Sequence, residues 1–325
     1  MRSTRRRFLK RSLALMGGAG VGCRMFENVS FTAQESEKYQ LSCNTLPYRA
    51  FPLARALEGI RKAGYRYVML YQTHDGKPVF TPALSATQKS DLRKLLADNN
   101  LTVHMSFVGL SVDVSTDSGQ SDYKKELDFF RDFGIKTVVG IGPWGYKKFP
   151  DERKPADEWQ RECDGFYKGM EKVLPHADSL GVIITLKPHT GITATAGACL
   201  KVVERLPSGS LKICWDAGNV SYYEGINPDP DFPALAPQVR AVCIKDHRGA
   251  RAVADFPVPG QGQVDHDLMF KILFGAGFHG PLAVERVDGT MDAAKMPVEL
   301  IDQRIGEARL FLEPLLAKYG GGSKA

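Results

Sequence analysis

Short apolar runs alternate with amphipathic segments along most of this chain. The apolar runs are rich in β-branched residues, as in Ile183-Ile184-Thr185-Leu186, and this pattern predicts buried strands. The amphipathic segments repeat apolar residues at helical spacing and several end at glycine, which predicts helices. Strands are predicted at 40–45, 65–71, 101–107, 136–141, 182–186, 211–215, 239–244 and 282–284. Helices are predicted at 53–63, 85–99, 121–133, 156–180, 196–206, 232–235, 265–275 and 297–319.

These strand–helix units predict an α/β fold. Strands that alternate with helices form parallel sheets, and eight such units over about 280 residues predict a single-domain (β/α)8 TIM barrel. An open doubly wound sheet is the alternative, but the glycine-rich dinucleotide fingerprint that favours it is missing after the first strand. We expect a leader at 1–33, a linker at 34–39, the barrel at 40–319 and a disordered tail at 320–325.

Four of the predicted strands end in ionisable side chains. The active site of such a barrel lies at the C-terminal ends of its strands, so these side chains predict one shared pocket. Asp216 and Glu285 each end an apolar run, and a buried carboxylate needs a cation or several donors, which favours a functional role. The candidates at the strand ends are Lys187, His189, Asp216, Asn219, Lys245, Asp246, His247 and Glu285.

Two further candidates lie on the third strand and after the fourth. His104 sits in an apolar strand, where a histidine is more often a hydrogen-bonded core residue than a ligand. Trp144 offers an apolar ring face to a sugar, although packing explains it equally well. We include both as candidate substrate-binding residues.

Several short motifs resemble the xylose isomerase-like barrel superfamily, and most closely its sugar phosphate isomerase/epimerase branch. They lie at 215–219, 244–246, 259–265 and 277–285, and their order and spacing match over residues 40–318. In that family a divalent metal sits between Glu, Asp, His and Glu on strands five to eight. The resemblance implies an isomerase or epimerase that transfers a proton next to a carbonyl, with Asp216 and Glu285 in the metal set.

The other two metal positions depart from the family pattern. Lys187 stands where the family has Glu, and Cys243 stands where it has His. One interpretation keeps a divalent metal (Mn²⁺, Mg²⁺ or Zn²⁺) on Asp216 and Glu285, with His189 or His247 recruited. The other has no metal, and the Lys187 ammonium lies between both carboxylates in its place. We favour the second, because a lysine beside a divalent cation would be repelled.

Roles follow from this interpretation. We expect Lys187, His189, Asp216 and Glu285 to be catalytic, with His189 as general acid or base. We expect the substrate, a sugar or keto-sugar derivative, to contact Asn219, His104, Trp144, Lys245, Asp246 and His247. A lyase reaction on a keto-sugar stays open. The alternative function is a noncatalytic carbohydrate-binding barrel with a decayed metal site. A DNA-repair endonuclease of the same superfamily is disfavoured.

The charge of the chain reflects its leader. The formal charge is +6, and seven cations precede the first acidic residue, Glu27. The body is therefore near neutral, which argues against nucleic-acid binding. The leader 4–10, Thr-Arg-Arg-Arg-Phe-Leu-Lys, resembles a twin-arginine export signal, which predicts the export machinery as a partner and a periplasmic or secreted protein. Lipid anchoring at Cys23 is a further expectation. No stable membrane span is predicted, because no second long apolar run exists.

Overall fold

A computed structural model describes residues 39–320 of the 325-residue chain. The predictions that concern the twin-arginine signal, Cys23, residues 321–325 of the predicted tail 320–325 and all but the last residue of the linker fall outside the described residues. Gly320, predicted to begin the tail, ends the last helix. Among the helices at 39–320, none combines the length and apolar character needed to cross a bilayer.

Eight parallel strands close into a barrel, which confirms the predicted fold. Each strand pairs with its sequence neighbour, and the first pairs with the last, with Leu41 opposite Leu282. The strands are β1 (Gln40–Asn44), β2 (Tyr67–Leu70), β3 (Thr102–Phe107), β4 (Thr137–Ile141), β5 (Ile183–Lys187), β6 (Leu211–Trp215), β7 (Val239–Ile244) and β8 (Pro281–Val284). Two short antiparallel ribbons, Thr73–His74 with Lys77–Pro78 and Tyr146–Lys148 with Glu152–Arg153, were not predicted.

Helices follow the strands and form the outer layer of the barrel. They are α1 (Leu53–Lys62), α2 (Ala86–Asp98), α3 (Asp117–Asp132), α4 (Ala156–Leu180), α5 (Ala196–Arg205), α6 (Ala217–Glu224), α7 (Phe232–Leu235), α8 (His266–Gly275) and α9 (Val298–Gly320). Local signals fix several ends. Ser85 and Gln88 form a capping box at the start of α2, and α4 ends at Gly181, whose φ of 61° is in the left-handed region that glycine favours.

Two helices differ from the prediction. Helix α3 begins four residues earlier than expected, because the Thr116 side chain caps it by accepting a hydrogen bond from the Gly119 N–H. Helix α6 was not predicted, since glycine, asparagine and aromatic residues give its sequence a low helix propensity. It forms directly after β6, where the Asp216 side chain accepts the N–H of Asn219 as its N-cap.

Successive side chains of each strand point alternately outward and inward, and this divides the apolar strand residues into two sets. Val68, Val138, Ile184 and Val242 face outward and pack in the large core cluster shared with the helices. Their neighbours form a second, smaller cluster that fills the barrel interior, and it contains Met69, Met105, Phe107, Val139, Cys214, Ala241, Cys243 and Ala283. The alternation of side chains along each strand therefore fixes which residues reach the barrel axis.

Candidate active site

Four charged side chains form the uppermost inward-facing layer of the barrel. Lys187 ends β5, while Asp216, Lys245 and Glu285 directly follow β6, β7 and β8. Three of them lie two positions beyond a residue of the interior cluster: Asp216 beyond Cys214, Lys245 beyond Cys243 and Glu285 beyond Ala283. Because side chains alternate along a strand, each continues inward at the C-terminal end of the barrel. We call these four residues the charge tetrad.

The tetrad is held together by short contacts between opposite charges. Lys187 Nζ lies 2.8 and 2.7 Å from the two carboxylate oxygens of Glu285 and 3.5 Å from Asp216 Oδ2. Lys245 Nζ lies 2.9 Å from Glu285 Oε1 and 3.2 Å from Asp216 Oδ2. Two ammonium groups therefore lie between two carboxylates, and the four charges sum to zero.

Burial makes this neutrality necessary. All four tetrad side chains are at most 5% exposed, and an uncompensated charge at such a site costs several kcal/mol. The opposite charges offset this cost for Lys187 and Glu285. Burial acts to lower the pKa of Lys187, but the surrounding acidic groups, Glu285 first among them, together outweigh it and hold that pKa well above its usual value. Burial opposes ionisation of Glu285 as well, yet the ammonium groups of Lys187 and Lys245 hold its pKa below the ordinary range.

Asp216 is the less satisfied carboxylate of the pair. Its Oδ1 accepts the N–H of Asn219 at 2.9 Å. Its Oδ2 makes no well-aligned hydrogen bond to any residue in 39–320, although both ammonium groups are near. Burial consequently raises the pKa of Asp216, and the lysines only partly oppose this rise. The two carboxylates thus have pKa values that their surroundings displace in opposite directions.

A cavity of about 260 Å³ opens above the tetrad. Lys245 and Glu285 form part of its wall, so the ammonium of Lys245 can reach a bound molecule. Around them the cavity is lined by Leu46, Pro47, Arg49, His189, Asn219, Tyr223, Phe256, Arg286, Asp288 and Ala293. A site of this kind, small and mixed in polarity, suits a compact polyhydroxylated molecule.

His189 and Asn219 both face this cavity. Asn219 donates from its side chain to the carbonyl oxygen of Pro188 at 2.6 Å. His189 Nδ1 is buried and has no hydrogen-bond partner among residues 39–320. Burial, and then the nearby ammonium groups of Lys187 and Lys245, hold the pKa of His189 well below its usual value, so its imidazole is neutral at neutral pH.

An aromatic cluster forms one side of the cavity. The Trp144 ring lies 5.7 Å from that of His189 and 5.5 Å from that of Tyr223. The rings of His189 and Tyr223 are 5.0 Å apart, and Phe149 packs against Tyr223 at 5.1 Å. Trp144 therefore supports His189 and Tyr223 from behind, and it is not itself among the cavity-lining residues.

Asp246 does not face the cavity. Its carboxylate accepts four backbone N–H groups at 2.9–3.0 Å, from His247, Gly260, Gly262 and Val264. The side chain is fully buried. Asp246 uses its oxygens to order the loop after β7 and does not line the cavity, and its predicted contact with the substrate stays a prediction.

Two predicted histidines also lie apart from the cavity. His247 Nε2 donates to the carbonyl oxygen of Val253 at 2.8 Å, and its Nδ1 lies 2.8 Å from the Ser221 hydroxyl. The ring of His104 lies 5.1 Å from that of Tyr67, which begins β2 at the opposite end of the barrel. Neither histidine therefore takes the substrate-binding position that the sequence suggested.

The donor set does not fit a divalent metal. Two ammonium groups occupy the space between Asp216 and Glu285, and a cation there would be repelled. His247 has both ring nitrogens engaged. Within residues 39–320, no three His, Cys, Asp or Glu side chains converge as a metal site. The interpretation that recruits His189 or His247 as a metal ligand is therefore not supported by the side-chain arrangement.

Sequence reasoning missed several cavity residues. Arg49 follows β1, and Arg286 and Asp288 follow β8, where Arg286 Nε donates to Asp288 at 2.9 Å. Tyr223 is not among the candidates named from the sequence, because α6 was not predicted. The Asp216 cap, followed by eight residues without proline, is the signal that could have placed Tyr223 near the site.

Comparison with known proteins is consistent with this architecture. The model of the family described as xylose isomerase-like TIM barrel matches residues 57–309. Inosose dehydratase of Bacillus thuringiensis (strain Al Hakam) is 26% identical over 189 residues, which is 50% of this chain and 61% of that protein. Inosose dehydratase 1 of Bacillus cereus is 25% identical over 60% of this chain and 72% of its own. The chain thus spans about three fifths of the first of these relatives.

Solved structures share the fold at low sequence identity. A D-psicose 3-epimerase superposes with a TM-score of 0.65 and 14% identity over 87% of this chain and all of its own. A D-allulose 3-epimerase from Methylomonas sp. superposes with a TM-score of 0.63 and 18% identity over 86% of this chain and 99% of its own.

Proposed function

The chain belongs to the xylose isomerase-like TIM barrel family, and from that premise we propose that it is an enzyme that moves a proton at the carbon next to a carbonyl group. The substrate class is a polyhydroxylated aldehyde or ketone, such as a free sugar or keto-sugar derivative. The reaction is an isomerisation or epimerisation, and the dehydratase relatives make water elimination from a keto-sugar the second candidate.

The observation that carries this proposal is the pair of buried ammonium groups below a cavity, of which that of Lys245 lines the cavity wall. Removal of a proton next to a carbonyl leaves an enediolate, whose oxygen needs a positive charge or strong donors in a water-poor site. The Lys245 ammonium, backed by Lys187, supplies that charge from the chain itself. His189 is neutral and can accept the proton from carbon.

The lysines act as ammonium groups and not as nucleophiles. A Schiff base needs a neutral amine. Both amines are held at 2.7–2.9 Å from Glu285, and the raised pKa of Lys187 opposes deprotonation. The contacts with Glu285 therefore disfavour covalent catalysis by either lysine. The same contacts keep each lysine as an ammonium group, which can stabilise an oxyanion.

A noncatalytic carbohydrate-binding barrel is the competing function. Binding of a neutral sugar does not require four buried charges, which are costly to desolvate. An unpartnered neutral histidine beside them suits proton transfer better than passive binding.

The test is solvent exchange measured by proton NMR. The full chain is incubated in D₂O with a panel of ketoses, aldoses and keto-cyclitols, and loss of the signal next to the carbonyl is followed. We expect exchange with at least one compound. Lys245→Met combined with Asp216→Asn keeps the tetrad neutral and should lower exchange at least about 100-fold, whereas Lys94→Met on the exposed face of α2 should not. Calorimetric binding of a sugar without exchange in any compound would favour the binding barrel.

We also propose that the protein is exported through the twin-arginine machinery to the periplasm or beyond. The support is the leader 4–10. Replacement of Arg5 and Arg6 by lysine should retain the protein in the cytoplasm in cell fractionation, while Arg11→Lys should not. Membrane association that Cys23→Ser abolishes would assign a lipid anchor, and unchanged export of the double lysine variant would contradict the proposal.

A further inference from the structure

The cavity contains few groups that are free to transfer a proton. Glu285 accepts hydrogen bonds from both lysines, and Asp288 is bound by the guanidinium of Arg286. Arg49 and Arg286 stay protonated at all relevant pH values. Lys245 is held between Glu285 and Asp216. The remaining titratable side chains of the cavity are His189 and Tyr223. Within residues 39–320, neither the Tyr223 hydroxyl nor the buried His189 Nδ1 has a hydrogen-bond partner.

These two residues occupy the same wall. Their ring centroids are 5.0 Å apart with the planes tilted by 38°, and Trp144 packs against both rings. His189 follows β5, and Tyr223 lies on α6 after the adjacent strand β6.

The opposite wall carries no free proton acceptor, because its two carboxylates, Glu285 and Asp288, are each bound by cationic side chains. Leu46, Pro47 and Arg49 follow β1, which lies across the barrel from β5. Ala293, after β8, completes that side. A two-base epimerisation requires an acid–base group on each face of the reacting carbon. The cavity offers such groups on one face only.

The two residues have complementary protonation states. His189 is neutral because burial and then the lysine charges lower its pKa. Tyr223 is protonated because burial raises its pKa to about 12. One wall therefore presents a proton acceptor beside a proton donor at neutral pH.

We propose that His189 and Tyr223 form a one-face acid–base pair that eliminates water from a polyhydroxylated ketone bearing a hydroxyl group β to its carbonyl. This inference rests on the proposed function and selects, among its reactions, elimination over epimerisation. Tyr223 is then a catalytic residue that the family comparison does not assign.

The step balances without any further reactant. The C–H bond next to the carbonyl breaks, its proton goes to His189, and its electrons form an enolate whose oxygen faces Lys245. The enolate electrons then form the carbon–carbon double bond as the β C–O bond breaks. The departing hydroxyl takes the Tyr223 proton and leaves as water. Transfer of a proton from the imidazolium to the tyrosinate restores both groups, so the net change is loss of one water.

The experiment separates the two steps. The full chain is incubated in D₂O with keto-cyclitols and ketohexoses. NMR follows exchange next to the carbonyl, and mass spectrometry follows the loss of 18 mass units that accompanies dehydration. We expect wild-type protein to exchange and to eliminate. Tyr223→Phe should keep exchange within about threefold and lower elimination by about 100-fold or more, because only the second step needs the acid.

Two variants serve as comparisons. His189→Gln should lose both signals, since both steps follow proton removal. Tyr222→Phe should keep both, because that neighbouring tyrosine packs 4.7 Å from Tyr223 and does not line the cavity.

The outcomes are distinct. Exchange without water loss in the wild-type protein would contradict the proposed acid–base pair. So would an equal loss of exchange and elimination in Tyr223→Phe. Neither result would contradict the proposed proton transfer. Epimerised product with solvent deuterium and no dehydration would likewise contradict the pair alone. If the wild-type protein exchanged no proton with any ketone, both the His189–Tyr223 acid–base pair and the proposed function would be contradicted.

Discussion

At the scale of single residues, strand alternation was a stronger signal than residue type. Asp216, Lys245 and Glu285 each lie two positions beyond an inward-facing residue, and all three join the tetrad. Asp246 and His247 are equally polar. However, Asp246 occupies an outward-facing position in the alternation along β7, and His247 lies past the end of that strand. The sequence therefore predicted the location of the site, whereas the assignment of Lys245 to the tetrad required three-dimensional contacts.

The position of Lys187 gives a prediction about metal affinity. Lys187→Glu would place a third carboxylate beside Asp216 and Glu285, against the single remaining ammonium of Lys245. We expect this variant to be less stable than wild type without metal and to gain thermal stability with added Mn²⁺, because oxygen ligands in excess of cations bind a hard divalent ion. The measurement is the melting temperature against Mn²⁺ concentration.

Lys187→Gln is the matched control for this variant, since it removes the ammonium without adding a carboxylate. Neither it nor wild type should respond to Mn²⁺. A wild-type response equal to that of Lys187→Glu would mean that the tetrad rearranges to accept a metal.

At the scale of elements, the barrel strands and most helices could be predicted because each carries its own periodicity and stop signal. Helix α6 and the two ribbons could not. The helix has a weak intrinsic propensity and depends on the Asp216 cap, and each ribbon is made of strands only two or three residues long. Elements of this kind are determined by their tertiary contacts, and Tyr223 lies on one of them.

The loop after β7 gives a prediction at this scale. Asp246→Asn replaces a carboxylate oxygen by an NH₂ group that faces backbone N–H donors. We expect a loss of about 2–3 kcal/mol in the free energy of unfolding, because hydrogen bonds to a buried charge are lost. Urea denaturation measures the loss, and hydrogen exchange should quicken at the amides of Gly260, Gly262 and Val264.

Asp122→Asn, at an exposed ion pair on α3, should change stability by less than about 0.5 kcal/mol. If Asp246→Asn were equally mild, the loop would be held by contacts other than this carboxylate.

At the scale of the whole molecule, closure of the barrel brings the two ends of the described chain together. Strand β1 pairs with β8, and α9 packs beside the first strand–helix unit. Asp302 on α9 accepts hydrogen bonds from the buried Tyr48 hydroxyl at 2.6 Å and from the Arg55 guanidinium. The sequence predicted the number of strands and thus closure, but it contained no signal for this particular contact between residues far apart in the chain.

Asp302→Ala should therefore destabilise the whole barrel. It leaves the Tyr48 hydroxyl buried without an acceptor, at a cost of about 2 kcal/mol in the free energy of unfolding. Chemical denaturation should show one transition moved to lower denaturant. Asp98→Ala removes an exposed ion pair of α2 and should have almost no effect. If the two substitutions changed the free energy of unfolding equally, Asp302 would not be what stabilises the contact between the chain ends.

The charge tetrad also constrains how this barrel can change over evolutionary time. Its two cations are part of the polypeptide, so the site is complete as soon as the barrel folds. A substitution at any one of the four positions leaves a buried charge without its partner and therefore lowers the stability of the barrel. Descendants of this protein should consequently exchange Lys187, Asp216, Lys245 and Glu285 in compensating pairs. A lineage that binds a metal at this site must lose at least one of the two lysines to do so.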